Sequence, residues 1–449
     1  MKDRQSEDYR ELAEWLIGFT RSKGADEVEV TILDGTEFSL DVRLGEIENL
    51  IEAGSRHLDF KVIKDQKTAY ASTSDLDKET LKRLVINGID RAELSNRDIC
   101  AGISPHIQST GKPDGLGIYD PMVREMDSRE KIRMATETER IALEDKRITN
   151  SHGASMETRE VQTTLANSNG FFGQYSETLF SLGVALQAGE TDNMVEGSWG
   201  STCRFLKEIE PEAHIARKAV ERTVRQLDPR KIQTQNIPII FEPRMTGWLL
   251  GFLFSCLTGT SVYQKTTFLA GKLGEQIADK KITVFDDGRM SGKLGTAPFD
   301  SEGVPTSRKT VIESGVLKTY LNNTYSARKL DMESTGNADG SGVGPTNFYL
   351  KPGENDQLEI IKTMSKGLIL TRTMGHGLNP VNGDISRGAF GLWIEDGEIA
   401  YPVSEVTISG NLGRILKEIE IIGNDLEFRS PICGPTILIG EMTVAGQSG

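Results

Sequence analysis

Four cysteines, five histidines and four tryptophans are all that 449 residues contain of those types, and each scarcity removes a class of explanation. Cys100, Cys203, Cys256 and Cys433 lie far apart without paired spacing, so no disulfide framework or zinc-finger set is built locally. Isolated thiols fit a reducing compartment, and a cytoplasmic location is expected. His57, His106, His152, His214 and His376 never fall at a spacing that puts two imidazoles on one helical face, so no local metal site is expected. Lysine and arginine total 52 against 66 acidic residues, for a formal net charge of −14. Such a chain lacks the clustered cations that neutralise phosphates, which argues against nucleic acid as a partner. No run approaches the ~18 apolar residues of a membrane span, and the first two dozen residues lack the apolar core of a signal peptide, so no membrane association is expected.

Two local catalytic patterns are also missing. There is no G-x-S-x-G elbow. "GRMSGK" at 288–293 is one residue short of a Walker loop and continues into Leu294 where that loop needs Ser or Thr, so it reads as a hairpin turn. "GSGVGP" at 340–345 opens no expected helix and makes a poor phosphate cradle.

What is present has the periodicity of an α+β protein. The length exceeds what one core usually serves, about 250–300 residues, so two parts are expected: an N-terminal α+β domain over 1–228 and a β-rich domain over 229–449. Leu12, Trp15, Leu16 and Phe19 at helical spacing predict a first helix, and helices are also predicted near 77–94, 128–147 and 210–227. Between the first two, residues 25–73 alternate polar and apolar, with Asp34-Gly35, Gly45 and Gly54 read as turns between antiparallel strands. Gly and Pro crowd 101–121, a surface connection and a possible sub-boundary. Asn169-Gly170 predicts a two-residue hairpin between two long strands. Further on, "FDDGRM", "IESGVL" and "IEDGEIAYPV" are read as hairpins.

The most apolar helix-like stretch is "PRMTGWLLGFLFSCLTG", 243–259, where Pro243 suits a first turn. Gly247, Gly251, Ser255 and Gly259 recur every fourth residue, a stripe that predicts close packing against another backbone. Cys256 sits among Leu253, Phe254 and Leu257, where burial raises a thiol pKa, so an inert core thiol is expected rather than a nucleophile. Asp286, Asp287, Asp300 and Glu302 would hold a hard cation if folded together, but without calcium-loop spacing they read as solvated turn residues.

Long ordered motifs then carry a resemblance: "FDSEGVPT", "IESGVLKTYL", Ser326-Ala327, "STGNA" at 334–338, "TNFYLKPG" and the ending "PTILIGEMTVAG". With the strand "ADEVEV" after a first helix, the chain resembles the TldD/PmbA family, also described as modulators of DNA gyrase and as peptidase family U62, over nearly its full length. That resemblance implies a cytoplasmic two-subunit metalloprotease acting on peptides or unfolded segments, such as microcin precursors and antitoxins. The TldD-type subunit of such a pair carries H-E-x-x-x-H and a C-terminal cysteine as its zinc site. In the order of motifs, Gly251 stands here for the first histidine, Phe252 for the glutamate and Cys256 for the second histidine, while the "CGPT" context of Cys433 departs from the family's ligand cysteine. The resemblance therefore implies a PmbA/TldE-type subunit with no catalytic residues, no metal and no cofactor of its own, zinc being held by a TldD-type partner.

Asn337, Asn347, Tyr349 and His376 are the substrate-binding candidates: the asparagines as partners of a peptide backbone, "TNFYL" as a lining strand to which an extended peptide adds, His376 as a cavity residue. Equally, each asparagine would satisfy its own turn, and His376 would cap a glycine-rich one. Two other readings remain open, a stand-alone homodimeric peptide-binding scaffold and an enzyme using Cys256, Cys433 or the acidic group.

Overall fold

The computed structural model describes residues 9–106, 115–190 and 193–446. The alternation seen in 25–73 folds into three antiparallel strands, but they are longer than the glycines suggest. After α1 (Arg10–Ser22) come β1 (Glu27–Arg43), β2 (Glu46–Lys64) and β3 (Lys67–Thr73). Gly45 does turn, with Leu44 and Gly45 both at positive φ. Asp34-Gly35 and Gly54 do not; they lie inside β1 and β2 and pair across them. Gly35 is there for clearance: a β-carbon on it would sit 2.4 Å from the Glu160 carbonyl oxygen of the neighbouring strand.

Helices α2 (Lys78–Leu94), α3 (Met122–Glu125) and α4 (Ser128–Ala142) follow, then β4 (Ile148–Asn167), β5 (Phe172–Ala188), β6 (Val195–Cys203) and α5 (Glu212–Val224). All six strands form one sheet in the order β3-β2-β1-β4-β5-β6. Part of the 101–121 connection, 107–114, lies outside the described residues. The turn at Asn169-Gly170 spans four residues rather than two, since β4 ends at Asn167 and β5 begins at Phe172, and the Asn167 side chain accepts from Asn169 N and Phe171 N. One face of the sheet is covered by helices. Val28, Val30 and Ile32 of β1, with Leu58, Phe60 and Val62 of β2, pack with Leu16, Leu81 and Val85 of α1 and α2. Phe38, Leu40 and Val42 pack with Met134, Ile215 and Ala219 of α4 and α5. Because side chains alternate along a strand, Glu29, Thr31 and Leu33 are turned to the opposite face.

The second half begins with β7 (Gln235–Phe241), α6 (Pro243–Leu257) and α7 (Gly259–Tyr263). There follow β8 (Val284–Asp287), β9 (Arg308–Glu313), β10 (Val316–Leu317), α8 (Thr324–Leu330), β11 (Ala338–Asp339), β12 (Gly342–Val343) and β13 (Phe348–Leu350). The remainder is α9 (Gln357–Lys362), β14 (Lys366–Met374), β15 (Leu378–Asn379), β16 (Asp384–Glu395), β17 (Glu398–Asn411), α10 (Leu412–Ile415), β18 (Ile419–Ile422), β19 (Ile432–Cys433) and β20 (Ile437–Ala445). Strands β14-β7-β20-β17-β16 run round to pair β16 with β14, closing a small barrel and leaving no free edge among those five. The expected turns at Ser314-Gly315 and Asp396-Gly397 are hairpins, each with both residues at positive φ. "FDDGRM" is not a hairpin: after β8 the chain leaves through a long loop, 288–307, before β9 returns to pair.

Helix α6 packs its apolar side into the C-terminal core, with Phe254 edge-on to Phe348 at 5.3 Å between ring centroids. Its small-residue stripe is not a continuous seam. Gly247 approaches the Ile432 carbonyl, but Gly251 has open space where a side chain would go, Ser255 is exposed, and Gly259 begins α7. No helix among the described residues is long and apolar enough to cross a membrane.

Candidate functional site

The polar face of the N-terminal sheet does not meet bulk solvent everywhere. Across it lie the loop 288–307 and the segment 334–346, and the two surfaces enclose a cavity of about 630 Å³. From the sheet come Glu29, Thr31, Lys61, Thr163 and Tyr175; from the loops come Asp300, Ser301 and Asn337. Aromatic packing holds the walls at fixed separation: Phe299 meets Phe171 and Tyr175 edge-on at 5.3 and 5.2 Å. Polar clamps do the same, with Arg204 donating to the Leu294 carbonyl at 2.6 Å and Arg328 to the Cys100 and Ile103 carbonyls at 3.2 and 2.8 Å.

The residues that carried the family resemblance build the loop wall. Asp300 accepts from Glu302 N, Val304 N and Ala338 N at 3.0, 2.9 and 2.8 Å, fixing the turn in "FDSEGVPT". Glu302 accepts from Thr324 N at 2.7 Å, at the start of α8, where Asn323 and Ser326 form a capping box. Asp286 is fully buried and accepts from Thr346 N and Asn337 Nδ2, both at 2.8 Å, and pairs with part-buried Lys309 at 3.0 Å. The four acids are therefore neither solvated turn residues nor a cation cage: all four are buried, and among the described residues no group of three or more His, Cys, Asp or Glu is placed to hold a metal.

Burial has electrostatic consequences. Desolvation, with the Glu302 charge, lifts Asp300 to about 7 against the pull of its three N–H donors. Glu29 is likewise raised by desolvation to about 7, with Lys61 opposing and Glu302 and Asp300 reinforcing the shift. Glu29 is 8% exposed, and its Oε2 has no hydrogen-bond partner among the described residues.

The candidates of the sequence are dispersed by the fold. Asn337 lines the cavity, yet its amide is occupied: Nδ2 donates to Asp286 and the Gly344 carbonyl, and Oδ1 accepts from Thr335 at 2.8 Å. Asn347 is similarly satisfied, donating to the Asp287 carbonyl and Thr296 Oγ1 and accepting from Gly295 N. Tyr349 is buried against Phe285 and Phe428. Its strand β13 pairs with β8 on one side and β19 on the other, so "TNFYL" is an interior strand, and no peptide can add to it as to an edge. His376 is exposed in the β14–β15 loop and is not among the residues lining the cavity. Sequence reasoning missed Glu29 and Lys61, which face one another across β1 and β2; in "ADEVEV" a cavity-facing glutamate looks like any solvated one.

On α6, Gly251 offers no donor and faces open space, while Phe252 and Cys256 point into the core, 4% and 0% exposed. Burial raises the Cys256 thiol, as expected of an inert core cysteine. Cys433 is buried, its Sγ donating to the Ser430 carbonyl at 2.9 Å.

A helix-backed sheet joined through loop walls to a closed barrel, with a cavity between sheet and loops, defines an α+β protein. Comparison with known proteins narrows this. Models of the PmbA/TldA metallopeptidase domain 1, central domain and C-terminal domain match residues 28–92, 122–227 and 234–446. Metalloprotease PmbA of Escherichia coli O157:H7 is 35% identical over 94% of this chain and 93% of its own, and a homologue from Haemophilus influenzae is 32% identical over 98% and 97%. The chain belongs to the PmbA/TldA metallopeptidase family, as a PmbA/TldE-type member. Among solved structures, one described as a modulator of DNA gyrase from Bacteroides thetaiotaomicron superposes with a TM-score of 0.91 at 27% identity, covering 98% of this chain and all of that one. TldE of Thermococcus kodakarensis shares the fold, with a TM-score of 0.87 at 22% identity over 97% of this chain.

Proposed function

We propose that this chain is the metal-free subunit of a two-component cytoplasmic metalloprotease, which helps enclose peptides or unfolded segments for cleavage at a zinc site held by a TldD-type partner. The observation that carries this is the make-up of α6. Metal-assisted hydrolysis needs ligands and a carboxylate to handle the proton of the attacking water, and Gly251, Phe252 and Cys256 fit neither task. No catalytic step is therefore assigned to this chain. Its contribution is structural and recognitional: it supplies a wall of the substrate cavity. The relatives named metalloproteases support the reaction class. The formal charge of −14 gives no support for a direct role on DNA.

The test is reconstitution. The pure chain is expected to cleave no peptide, and addition of a TldD-type subunit is expected to give chelator-sensitive cleavage above that of either chain alone. Turnover by the pure chain, or no effect on the partner, overturns the assignment. A second reading, a stand-alone binding protein, draws on the cavity's being lined by residues of both halves of this chain; peptide binding without any effect on a metal-bearing partner would favour it.

A further inference from the structure

The cavity between the N-terminal sheet and the loop wall contains an imbalance that packing does not explain. Glu29 projects from β1 into its wall with Oε2 unpartnered and 92% of the residue buried, although an unsatisfied buried carboxyl is costly. On the same sheet face Asn167, the register partner of Glu29 on β4, has an unpartnered Nδ2. Facing Glu29 from the loop are Asp300 and Glu302, and Lys61 is its partner on β2, with no salt bridge within 4.0 Å formed between them. Asp59 of β2, Tyr70 of β3, Tyr175 of β5 and Asp339 of β11 complete the titratable lining, and Glu27 adds a further negative charge from the same strand as Glu29. Against those carboxyls the lining offers one lysine, whose Nζ donates to the Gly102 carbonyl at 3.3 Å.

We infer that this cavity is a binding site for the ammonium group of an amine ligand, held between the carboxyls of Glu29 and Asp300. An ammonium supplies the donors that Oε2 lacks and the positive charge that lets both acids ionise together, and the roughly 630 Å³ leaves room for the atoms attached to it. Two sources share this chemistry, the free N-terminus of a peptide and a small polyamine. The first deepens the proposed function and rests on it; the second does not. Since both acids titrate near 7 in the free protein, binding at neutral pH displaces protons. Affinity therefore rises between pH 6 and 7.5, and for a peptide falls again as its α-amine deprotonates near 8.

Isothermal titration of the full chain tests this with tetra-alanine amide, its N-acetylated form, and spermidine, in buffers of different ionisation enthalpy. Expected are binding of the free-amine probes with proton release at pH 7, at least tenfold weaker binding of the acetylated peptide, and at least tenfold loss of amine binding in Glu29→Gln and Asp300→Asn. Glu29→Gln is near-isosteric, and its melting temperature verifies folding; if Asp300→Asn disrupts the loop, Glu29→Gln alone decides. Equal binding of free and acetylated peptide, unchanged amine binding in Glu29→Gln, or no binding of any amine overturns the inference. Amine binding that persists while a TldD-type partner gains no activity would remove the proposed function and leave this site standing.

Discussion

Replacing Glu29 with Gln should make the protein more stable at pH 8 and leave it nearly unchanged at pH 4.5. The carboxyl, raised from 4.5 to about 7 in the folded chain, binds more protons folded than unfolded between those values. Stability tied to the neutral acid is fully present below about 4.5 and is lost as pH rises through 7. A shift of that size corresponds to about 3 kcal/mol at ~1.4 kcal/mol per unit, and Glu29 is buried deeply enough that solvent screening does not erase it. Gln mimics the protonated acid in shape and carries no charge, so the mutant escapes the penalty. With roughly 2.1 cal/mol/K of unfolding entropy per residue, cooperative unfolding of 449 residues converts this to about 3 °C in Tm. Differential scanning calorimetry of both proteins from pH 4 to 8.5 should show two curves that nearly coincide at the acid end, separate progressively between about pH 4.5 and 7 and keep a constant gap above that, the mutant being higher. Parallel curves would refute the reasoning; a mutant less stable at pH 8 would mean that Glu29 is ionised and held by Lys61.

Other perturbations follow from the same geometry. Glu242 precedes α6 and is clamped by Arg225 at 2.8 and 2.9 Å and by Arg222 at 3.3 Å, so Glu242→Gln leaves two guanidinium groups without their counter-charge and should lower unfolding free energy by about 3 kcal/mol in denaturant titration. Gly35→Ala puts a methyl 2.4 Å from the Glu160 carbonyl and should destabilise the β1–β4 pairing by about 1–3 kcal/mol, read as faster amide exchange along both strands. Installing the metal motif as Gly251→His, Phe252→Glu and Cys256→His should yield no stoichiometric zinc by elemental analysis, because only the first change enters open space, while the other two force polar groups into the core and destabilise the fold.

Period-two alternation in 25–73 was enough to read antiparallel strands there, though not their number or length, and helical spacing placed α1, α2, α4, α5 and α6 to within a few residues. Glycine was the weak point. Asp34-Gly35 is a turn signal only when glycine supplies φ, whereas here it supplies room for β4, whose approach is set by residues more than a hundred positions away. Barrel closure failed for the same reason, since pairing β14 with both β7 and β16 is a long-range choice that local pattern does not encode. The cavity was partly legible: Asn337 stood out through its motif, but Asp300 was read as a solvated turn residue, and Glu29 acquires its character only when the loop 288–307 covers it.

That dependence changes what the conserved-looking motifs mean physically. Asp300 is held by three backbone N–H groups, an arrangement that on its own favours the carboxylate and depresses its pKa. Burial and the neighbouring Glu302 charge nevertheless win and lift it to about 7. The turn that builds the cavity wall is thus made with an acceptor weakened by its surroundings, because a protonated carboxyl accepts less strongly than an ionised one. A positive charge beside Glu29 and Asp300 favours the carboxylate, so the proposed ammonium group would strengthen the three backbone bonds that Asp300 accepts.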